Sequence, residues 1–218
     1  MALAIFDLDE TLIGIDSDHA WGDFVADRKL VDPDQHRALN AAFYEDYKAG
    51  RLDVDAYYKF SCSVLAARPL PDLLSLRAEF IDEKIRPQIL PRALELIESH
   101  RTRGDSLLVV TATIEFITAP IVALFGITQL IAPMPEMSDG SYTGNISGVP
   151  SFREGKVTRI HQWLAQTGES LVDSYCYSDS RNDLPMLELA DHPTAVDPDP
   201  RLREIAKARK WPIISLRD

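Results

Sequence analysis

Short apolar runs alternate with helix-like segments along most of the chain. Runs of this length, bounded by polar turns, predict buried strands. We predict strands at residues 2–9, 106–110, 130–132, 171–178, 194–196 and 212–215. Helical periodicity is present at residues 91–103, 118–126, 154–166, 182–190 and 201–210. Strands that alternate with helices predict a parallel sheet covered on both faces, which is a doubly wound α/β fold of the Rossmann-like type.

Residues 15–85 depart from this alternation, because every periodic segment there is helical. The segment Asp32–Gln35 has the composition of a helix start, and Gly50 marks the end of the same helix. Asp53 is placed to cap the next helix, and another is expected over residues 72–85. We therefore expect two domains, a Rossmann-like core and an inserted all-helical cap, with bounds 1–14 plus 86–218 and 15–85, respectively.

The uncharged stretch 116–135 has the length of a membrane span. Because prolines and a glycine interrupt it, we predict a buried helix instead, N-capped at Thr118 and ended by Gly126, followed by a strand. The polar residues that come next, 138–150, predict a small hairpin around three glycines. Neither segment predicts a membrane protein.

The composition is that of an ordinary globular protein, with 45% hydrophobic and 26% charged residues among 218. Acidic residues outnumber basic ones 34 to 23, and the formal charge of -11 argues against nucleic acid or an anionic membrane as a partner. Two cysteines far apart, Cys62 and Cys176, form no disulfide or metal pattern. Together with an N-terminus that lacks a signal-peptide pattern, they predict a cytoplasmic protein. The sequence predicts no particular oligomeric state.

Reactive side chains follow three of the predicted strands. Asp7 and Asp9 follow the first, Thr111 and Thr113 the second, and the segment 178–183 a later one. The carboxyl ends of parallel strands lie along one edge of the sheet, where open α/β folds bind ligands. Carboxylates crowded there repel one another, and their hard oxygen atoms suit Mg²⁺. The pattern predicts an enzyme site for Mg²⁺ and a phosphate group, although each segment alone would also fit a turn or a helix cap.

Lys156 is the fourth element of this pattern. It falls in the first turn of a predicted helix, where the helix dipole disfavours a cation. A lysine in that place, close to the acids, could bridge a nucleophilic carboxylate and a bound phosphate. The alternative is an exposed lysine without a role.

With these four segments the chain resembles the haloacid dehalogenase superfamily of phosphohydrolases. The motifs are Asp7-Leu8-Asp9-Glu10-Thr11, Thr111, Glu154-Gly155-Lys156 and Ser178-Asp179-Ser180-Arg181-Asn182-Asp183-Leu184-Pro185-Met186, in family order and at family spacing. The helical insertion is similar to that of the branch with a small helical cap, which includes phosphoserine phosphatase. The resemblance implies a Mg²⁺-dependent phosphomonoesterase that acts through an aspartyl-phosphate on a small phosphorylated metabolite.

The resemblance also implies a role for each motif residue. Asp7 would attack phosphorus, and Asp9 would protonate the leaving oxygen and then take a proton from water. Thr111 would hydrogen-bond the phosphoryl oxygens, and Lys156 would screen their charge. The implied metal ligands are Asp7, Asp9 through its carbonyl, Asp179, and Asp183 through bound waters. The implied phosphate and substrate contacts are Thr111, Ala112, Lys156 and Asn182.

Other activities of the superfamily fit less well. Halide release needs no acid, so Asp9 disfavours a dehalogenase, and a transport ATPase needs membrane spans. A phosphotransferase or mutase is an alternative, because it uses the same residues. A non-catalytic binding module would lack at least one motif residue, and all are present. A regulatory protein phosphatase is also an alternative, although the cap should hinder a folded protein substrate.

We expect the cap and the residues beside the first motif to select the substrate. Asp16 and Asp18 make the entrance acidic, which suits a cationic amine, although they could instead only cap the first cap helix. Asp16 also matches an acid of phosphoserine phosphatase, nine residues after the nucleophile. However, Thr111-Ala112-Thr113 replaces the usual Ser-Gly-Gly there.

A cap arginine that would grip a carboxylate is also not evident, and the candidates are Arg51, Lys59 and Arg68. An amino-alcohol phosphate such as histidinol phosphate is therefore our hypothesis, with phosphoserine as the alternative. Most of the aromatic residues in the cap are expected to form its core, with one or two lining the pocket. The five histidines show no ligand spacing and receive no role.

Overall fold

A six-stranded parallel sheet lies at the centre of the computed structural model, which describes residues 2–217. Its strands are β1 (Leu3–Phe6), β2 (Ser106–Val110), β3 (Gln129–Ile131), β6 (Tyr175–Ser178), β7 (His192–Val196) and β8 (Ile213–Ile214). A separate antiparallel hairpin consists of β4 (Met134–Ser138) and β5 (Ser141–Ser147). The strand order is β3-β2-β1-β6-β7-β8, so β1 lies between β2 and β6. The predicted α/β fold is confirmed.

Helices cover the sheet and fill the long insertion after β1. They are α1 (Ser17–Asp27), α2 (Pro33–Ala49), α3 (Val54–Ala66), α4 (Leu70–Phe80), α5 (Pro91–Thr102), α6 (Glu115–Leu124), α7 (Glu154–Thr167), α8 (Leu184–Leu187) and α9 (Pro200–Arg209). Within residues 2–217, no helix has both the length and the apolar character that a bilayer crossing requires.

The strands of the sheet send alternate side chains to two hydrophobic clusters, as the two-residue period of a strand requires. In β1, Ala4 and Phe6 join one cluster and Leu3 and Ile5 join the other. The second cluster includes Ile160 of α7 together with residues of α8 and α9. Both faces of the sheet are therefore buried, which explains why its strands are apolar throughout.

Helices α1 to α4 form the block between β1 and β2. Asp32 and Asp53 cap α2 and α3 as predicted, each accepting a hydrogen bond from a backbone N–H three residues later. Helix α4 continues into one π-helical turn, Ile81–Ile85. Trp21 and Phe24 of α1 belong to the same hydrophobic cluster as Phe6 of β1. The block is thus joined to the sheet by a shared core.

Several predicted boundaries were wrong for local reasons. Helix α6 begins at Glu115, and Thr118 lies inside it with its hydroxyl donating to the carbonyl of Ile114 at 3.2 Å. Strand β6 begins only at Tyr175, because Asp173 adopts a left-handed φ of 62° that interrupts extended backbone. The predicted helix over 182–190 is shorter, namely α8 preceded by a single 3₁₀ turn.

The hairpin also begins earlier than predicted. Its turn is at Asp139 and Gly140, which both have positive φ angles. Gly144 lies inside β5, where a Cβ would stand 3.5 Å from Ala66 of α3. Helix α3 packs directly on β5, so the hairpin joins the insertion to the rest of the chain.

Candidate active site

The three central strands bring the predicted motifs together at one edge of the sheet. The backbone N–H of Asp7 donates to the carbonyl of Tyr177 at 2.9 Å, which continues the β1–β6 pairing into the first motif. The N–H of Thr111 donates to Ile131 at 3.0 Å and continues the β2–β3 pairing in the same way. Since β2, β1 and β6 are neighbours, their carboxyl ends place these motifs side by side.

Lys156 lies between two buried carboxylates. Its Nζ is 2.7 Å from Oδ1 of Asp7 and 2.8 Å from Asp183, and all three side chains are buried. Burial, the largest single influence, lowers the pKa of Lys156, but the charges of Asp183 and Asp7 outweigh it and raise this pKa overall. Lys156 therefore lies close to the acids, as the sequence predicted.

Asp7 itself carries a strongly perturbed carboxyl group. Burial raises its pKa to about 7, although Lys156 acts in the opposite direction, and the charges of Asp183 and Asp9 add to the increase. The carboxylates at this edge thus repel one another, as the sequence predicted.

Thr11 connects two of the acids, a function that the sequence analysis missed. Its hydroxyl lies 3.3 Å from Oδ2 of Asp7 and 3.0 Å from Oδ1 of Asp179, and it accepts from the N–H of Asp179 at 3.1 Å. Burial and the charge of Asp7 raise the pKa of Asp179 well above its ordinary value. A threonine that ends the first motif could have been examined as a bridge, because it is the residue there with a short hydroxyl side chain.

Asp9 accepts hydrogen bonds from two parts of the chain. The N–H of Ser17, at the start of α1, donates to Oδ1 at 2.7 Å. The hydroxyl of Thr113 donates to Oδ2 at 2.8 Å, and that of Thr111 lies 3.3 Å away. Burial raises the pKa of Asp9, while the donors from Ser17 and Thr113 oppose that increase.

The carboxylates at this edge of the sheet are candidate ligands for a metal ion. Among residues 2–217, no three His, Cys, Asp or Glu side chains converge closely enough to hold a metal by themselves. Mg²⁺ needs fewer protein ligands, because it keeps several waters and binds through one or two carboxylates together with phosphate oxygens. Asp7 and Asp179, which are joined by Thr11 and whose pKa values are both raised chiefly by burial, fit that requirement. Asp183 instead uses its oxygens to accept from Lys156 and Ser178.

A cavity of about 570 Å³, counting the open space at its mouth, adjoins Asp7 and Asp9. The insertion and the strand ends both contribute to its wall. Its lining consists of Asp7, Asp9, Asp16, His19, Asn40, Phe43, Tyr44, Tyr47, Leu52, Tyr57, Tyr58, Thr111, Ala112, Thr113 and Phe152. Three carboxylates therefore face this cavity, and none of its lining residues is a lysine or an arginine.

The two acids proposed for substrate recognition have different positions. Asp16 lines the cavity and also caps α1, since its Oδ1 accepts from the N–H of His19 at 2.8 Å. Burial, and then the charge of Asp9, raise the pKa of Asp16 well above its ordinary value. Asp18 is not part of the lining. It is buried, accepts from the hydroxyl of Ser61 at 3.1 Å, and burial raises its pKa to about 7.

Asn182 lies at the junction between α2 and the core, and its expected contact with phosphate stays a prediction. Its amide nitrogen donates to the carbonyl of Tyr47 at 3.1 Å, and its amide oxygen lies 3.3 Å from the guanidinium of Arg153. Arg153 in turn donates to the carbonyl of Gly50. Asn182 therefore links the end of α2 to the core and is not among the residues that line the cavity.

The aromatic wall of the cavity is the part of the site that sequence reasoning least anticipated. The hydroxyl of Tyr58 donates to the carbonyl of Ala112 at 2.8 Å, joining α3 to the second motif. The ring of His19 stacks on Tyr44 with centroids 4.5 Å apart, although no histidine was given a role. The hydroxyl of Tyr47 lies 3.4 Å from Ser180. Helical spacing had indicated only that such residues face inward.

Known proteins similar to this chain support the same interpretation. A sequence model described as haloacid dehalogenase-like hydrolase matches residues 4–188. The chain belongs to this family. Phosphatases of this family generally use Mg²⁺.

A histidinol-phosphatase from Neisseria meningitidis serogroup C (strain 8013) is 48% identical over 219 residues, 99% of each chain. A crystal structure of a protein with unknown function from Bordetella pertussis Tohama I superposes with a TM-score of 0.93 at 46% identity, covering 99% of this chain and 98% of that one. A substrate-bound phosphoserine phosphatase complex shares the fold, with a TM-score of 0.72 at 20% identity, covering 100% of this chain and 94% of that one.

These likenesses confirm the predicted superfamily and the predicted class of activity, phosphomonoester hydrolysis. Each motif residue inferred from sequence is present in the matched region. The choice of phosphomonoester remains a separate question, because it depends on the lining of the cavity.

Proposed function

We propose that this chain is a Mg²⁺-dependent phosphatase of histidinol phosphate that acts through an aspartyl-phosphate on Asp7. The observation that carries the proposal is the charge of the cavity, which has three carboxylates and neither lysine nor arginine in its lining. The similarity to the Neisseria meningitidis histidinol-phosphatase supports the same substrate.

The charge of the substrate separates histidinol phosphate from phosphoserine. Both carry a phosphate and an amine, but phosphoserine also carries a carboxylate. A carboxylate in this cavity would lie near Asp9 and Asp16 without a lysine or arginine to pair with, and like charges at close range disfavour binding. Histidinol phosphate has an imidazole ring in place of that carboxylate. The aromatic lining, which includes Phe43, Tyr44 and Tyr57, would pack against such a ring.

The proposed chemistry follows from the contacts of the acids. Lys156, which is itself held by Asp183, donates to Asp7 and holds it in place, and the positive charge of Lys156 favours the ionised, nucleophilic form of Asp7. Asp9 would give a proton to the leaving oxygen and, in the second half of the reaction, take one from the attacking water. Thr111 would donate to a phosphoryl oxygen. Mg²⁺, when bound at Asp7, Asp179 and the carbonyl of Asp9, would neutralise the negative charges of the Asp7 carboxylate and the substrate phosphate.

We propose in addition that residues 15–85 act as a cap over this cavity. In support, α1 supplies Asp16 and His19 at its N-terminal end, α2 supplies Tyr44 and Tyr47, and α3 supplies Tyr58. A small phosphorylated metabolite is the partner that such a covered cavity would admit. Because Cys62 and Cys176 are buried and unpaired, a reducing cytoplasm remains our proposal for its location.

The test is phosphate release from a panel of substrates with and without Mg²⁺. The panel contains histidinol phosphate, phosphoserine, phosphoethanolamine and sugar phosphates, and Asp7→Asn is the matched blank, because it keeps the size of the side chain and removes the nucleophile. We expect the highest kcat/KM for histidinol phosphate and no release by Asp7→Asn. A preference for phosphoserine or sugar phosphates would contradict the proposed substrate. Transfer of the phosphoryl group to an added alcohol acceptor, forming a new phosphomonoester without release of inorganic phosphate, would favour a phosphotransferase.

A further inference from the structure

Thr113 makes the shortest core-side contact with the proposed acid–base residue. Its hydroxyl donates to Oδ2 of Asp9 at 2.8 Å, whereas the hydroxyl of Thr111 lies 3.3 Å from the same atom. Thr113 is buried and lines the cavity. Its own N–H donates to the hydroxyl of Thr111 at 3.1 Å, so the backbone of Thr113 is held by the second motif and its side chain by the first.

The other contact to Asp9 comes from a different part of the molecule. Ser17 donates its backbone N–H to Oδ1 from the start of α1, in the helical insertion. Thr113 follows β2 and belongs to the sheet edge. The two donors therefore hold the carboxyl group by its two oxygens, and the donor from Thr113 is a side chain that substitution can remove.

Thr111 cannot replace Thr113 in this function. The proposed chemistry uses the Thr111 hydroxyl to contact the phosphoryl oxygens, and that hydroxyl already accepts from the N–H of Thr113. A hydroxyl has a single proton to donate. When phosphate is bound, Thr113 would be the side-chain donor left to orient Asp9.

We propose that Thr113 is a positioning residue that keeps the carboxyl group of Asp9 directed at the leaving oxygen. The inference rests on the proposed function. In the first step an oxygen of Asp7 forms a bond to phosphorus while the bond to the leaving oxygen breaks, and the leaving oxygen keeps the electron pair and takes the proton of Asp9. In the second step the oxygen of water forms a bond to phosphorus, the bond to Asp7 breaks with its electron pair returning to Asp7, and Asp9 regains a proton from that water. Thr113 keeps its own proton throughout.

The test compares substrates that differ in their need for a proton. Histidinol phosphate releases an alkoxide, which requires protonation, whereas p-nitrophenyl phosphate releases a stable phenolate, which does not. In Thr113→Val we expect kcat/KM for histidinol phosphate to fall about 10–100-fold, because a misplaced proton donor loses most of its contribution. The loss with p-nitrophenyl phosphate should be only about 3-fold or less, since that step needs no acid. Thr113→Ser should restore activity with histidinol phosphate.

Two further measurements complete the test. Activity with p-nitrophenyl phosphate itself reports that a variant is folded, and Thr113→Ala serves if the valine variant does not fold. Inhibition by inorganic phosphate should be similar in all variants, since the phosphate contacts are retained. Equal losses with both substrates, or no loss with either, would overturn the role of Thr113. A wild-type enzyme without Asp7-dependent activity on either substrate would overturn the proposed function and this inference together.

Discussion

Replacing Asp16 with asparagine should separate recognition of the substrate amine from the structural function of this residue. Asp16 lines the cavity, and its side chain also caps α1 through the N–H of His19. Asparagine is as good an N-cap as aspartate, so the helix start should be retained. The substitution removes the negative charge, and the charge is the feature that we expect an ammonium group to recognise.

The size of the effect follows from the kind of contact that is lost. A hydrogen bond between charged groups contributes about 1.5–3 kcal/mol, which corresponds to roughly a 10–150-fold change in kcat/KM. Burial and the neighbouring Asp9 raise the pKa of Asp16 well above its ordinary value, so part of the free enzyme carries this group protonated. Binding of an amine should therefore strengthen as pH rises and Asp16 ionises. Asp16→Asn should lose that pH dependence.

The assay is the kcat/KM of wild-type enzyme and Asp16→Asn with two matched substrates, phosphoethanolamine and ethyl phosphate, which differ only in the amine. The loss should be confined to phosphoethanolamine, and histidinol phosphate should behave like it. Equal losses with both substrates would mean that Asp16 acts through the structure of α1. No loss with either would place the amine elsewhere and refute the reasoning.

Three further substitutions test the electrostatics of the fold. Lys156→Met leaves the buried carboxyl of Asp7 without its ion-pair partner and should lower the stability of the metal-free protein by about 3–5 kcal/mol at pH 8. The loss should be smaller at pH 5, where Asp7, whose pKa is raised to about 7, is protonated, and thermal unfolding in chelator measures both. Tyr177→Phe removes the hydroxyl 2.9 Å from Nε2 of buried His100 and should cost about 1–3 kcal/mol with kcat nearly unchanged. Asp18→Asn keeps the donor from Ser61. Burial raises the pKa of Asp18 in the folded protein to about 7. As pH rises above the lower pKa of the unfolded chain, Asp18 therefore destabilises the folded wild-type protein by an increasing amount. The variant should be more stable than wild type at pH 8 and equal to it near pH 4. A variant less stable than wild type at pH 8 would contradict this.

The sequence was sufficient to predict which residues meet at the edge of the sheet, because the strand topology fixes their positions. Once β2, β1 and β6 are adjacent and parallel, residues directly after them must meet, whatever the details of the loops. Thr11 shows the limit of that argument. Its bridging contacts to Asp7 and Asp179 depend on the conformation of the loop after β1. In that loop the N–H of Leu12 donates to the carbonyl of Leu8, and a pattern of apolar residues does not predict such a turn.

The functions of the aromatic residues in the helical insertion were harder to predict, because helical spacing does not distinguish residues of a hydrophobic core from residues that line a cavity. Trp21 and Phe24 of α1 pack into the hydrophobic cluster around Phe6. Tyr44 and Tyr47 of α2 lie at similar helical spacing, yet both line the cavity. Which set of aromatic residues faces a ligand depends on how each helix is rotated against the sheet edge, and that is a property of tertiary packing.

The charge of the cavity is also a property that only the fold could settle. Three cap cations were candidates to grip a substrate carboxylate, and none lines the cavity. Arg51 pairs with Asp46, and Arg68 donates to the carbonyl of Leu30. Lys59 is exposed. A phosphate would therefore meet Lys156 and the proposed Mg²⁺ at one end of the site, while the lining of the cavity at the other end contains no lysine or arginine. Under the proposed function we expect selection between amine phosphates to rest on whether they carry a carboxylate, which this cavity would leave unpaired.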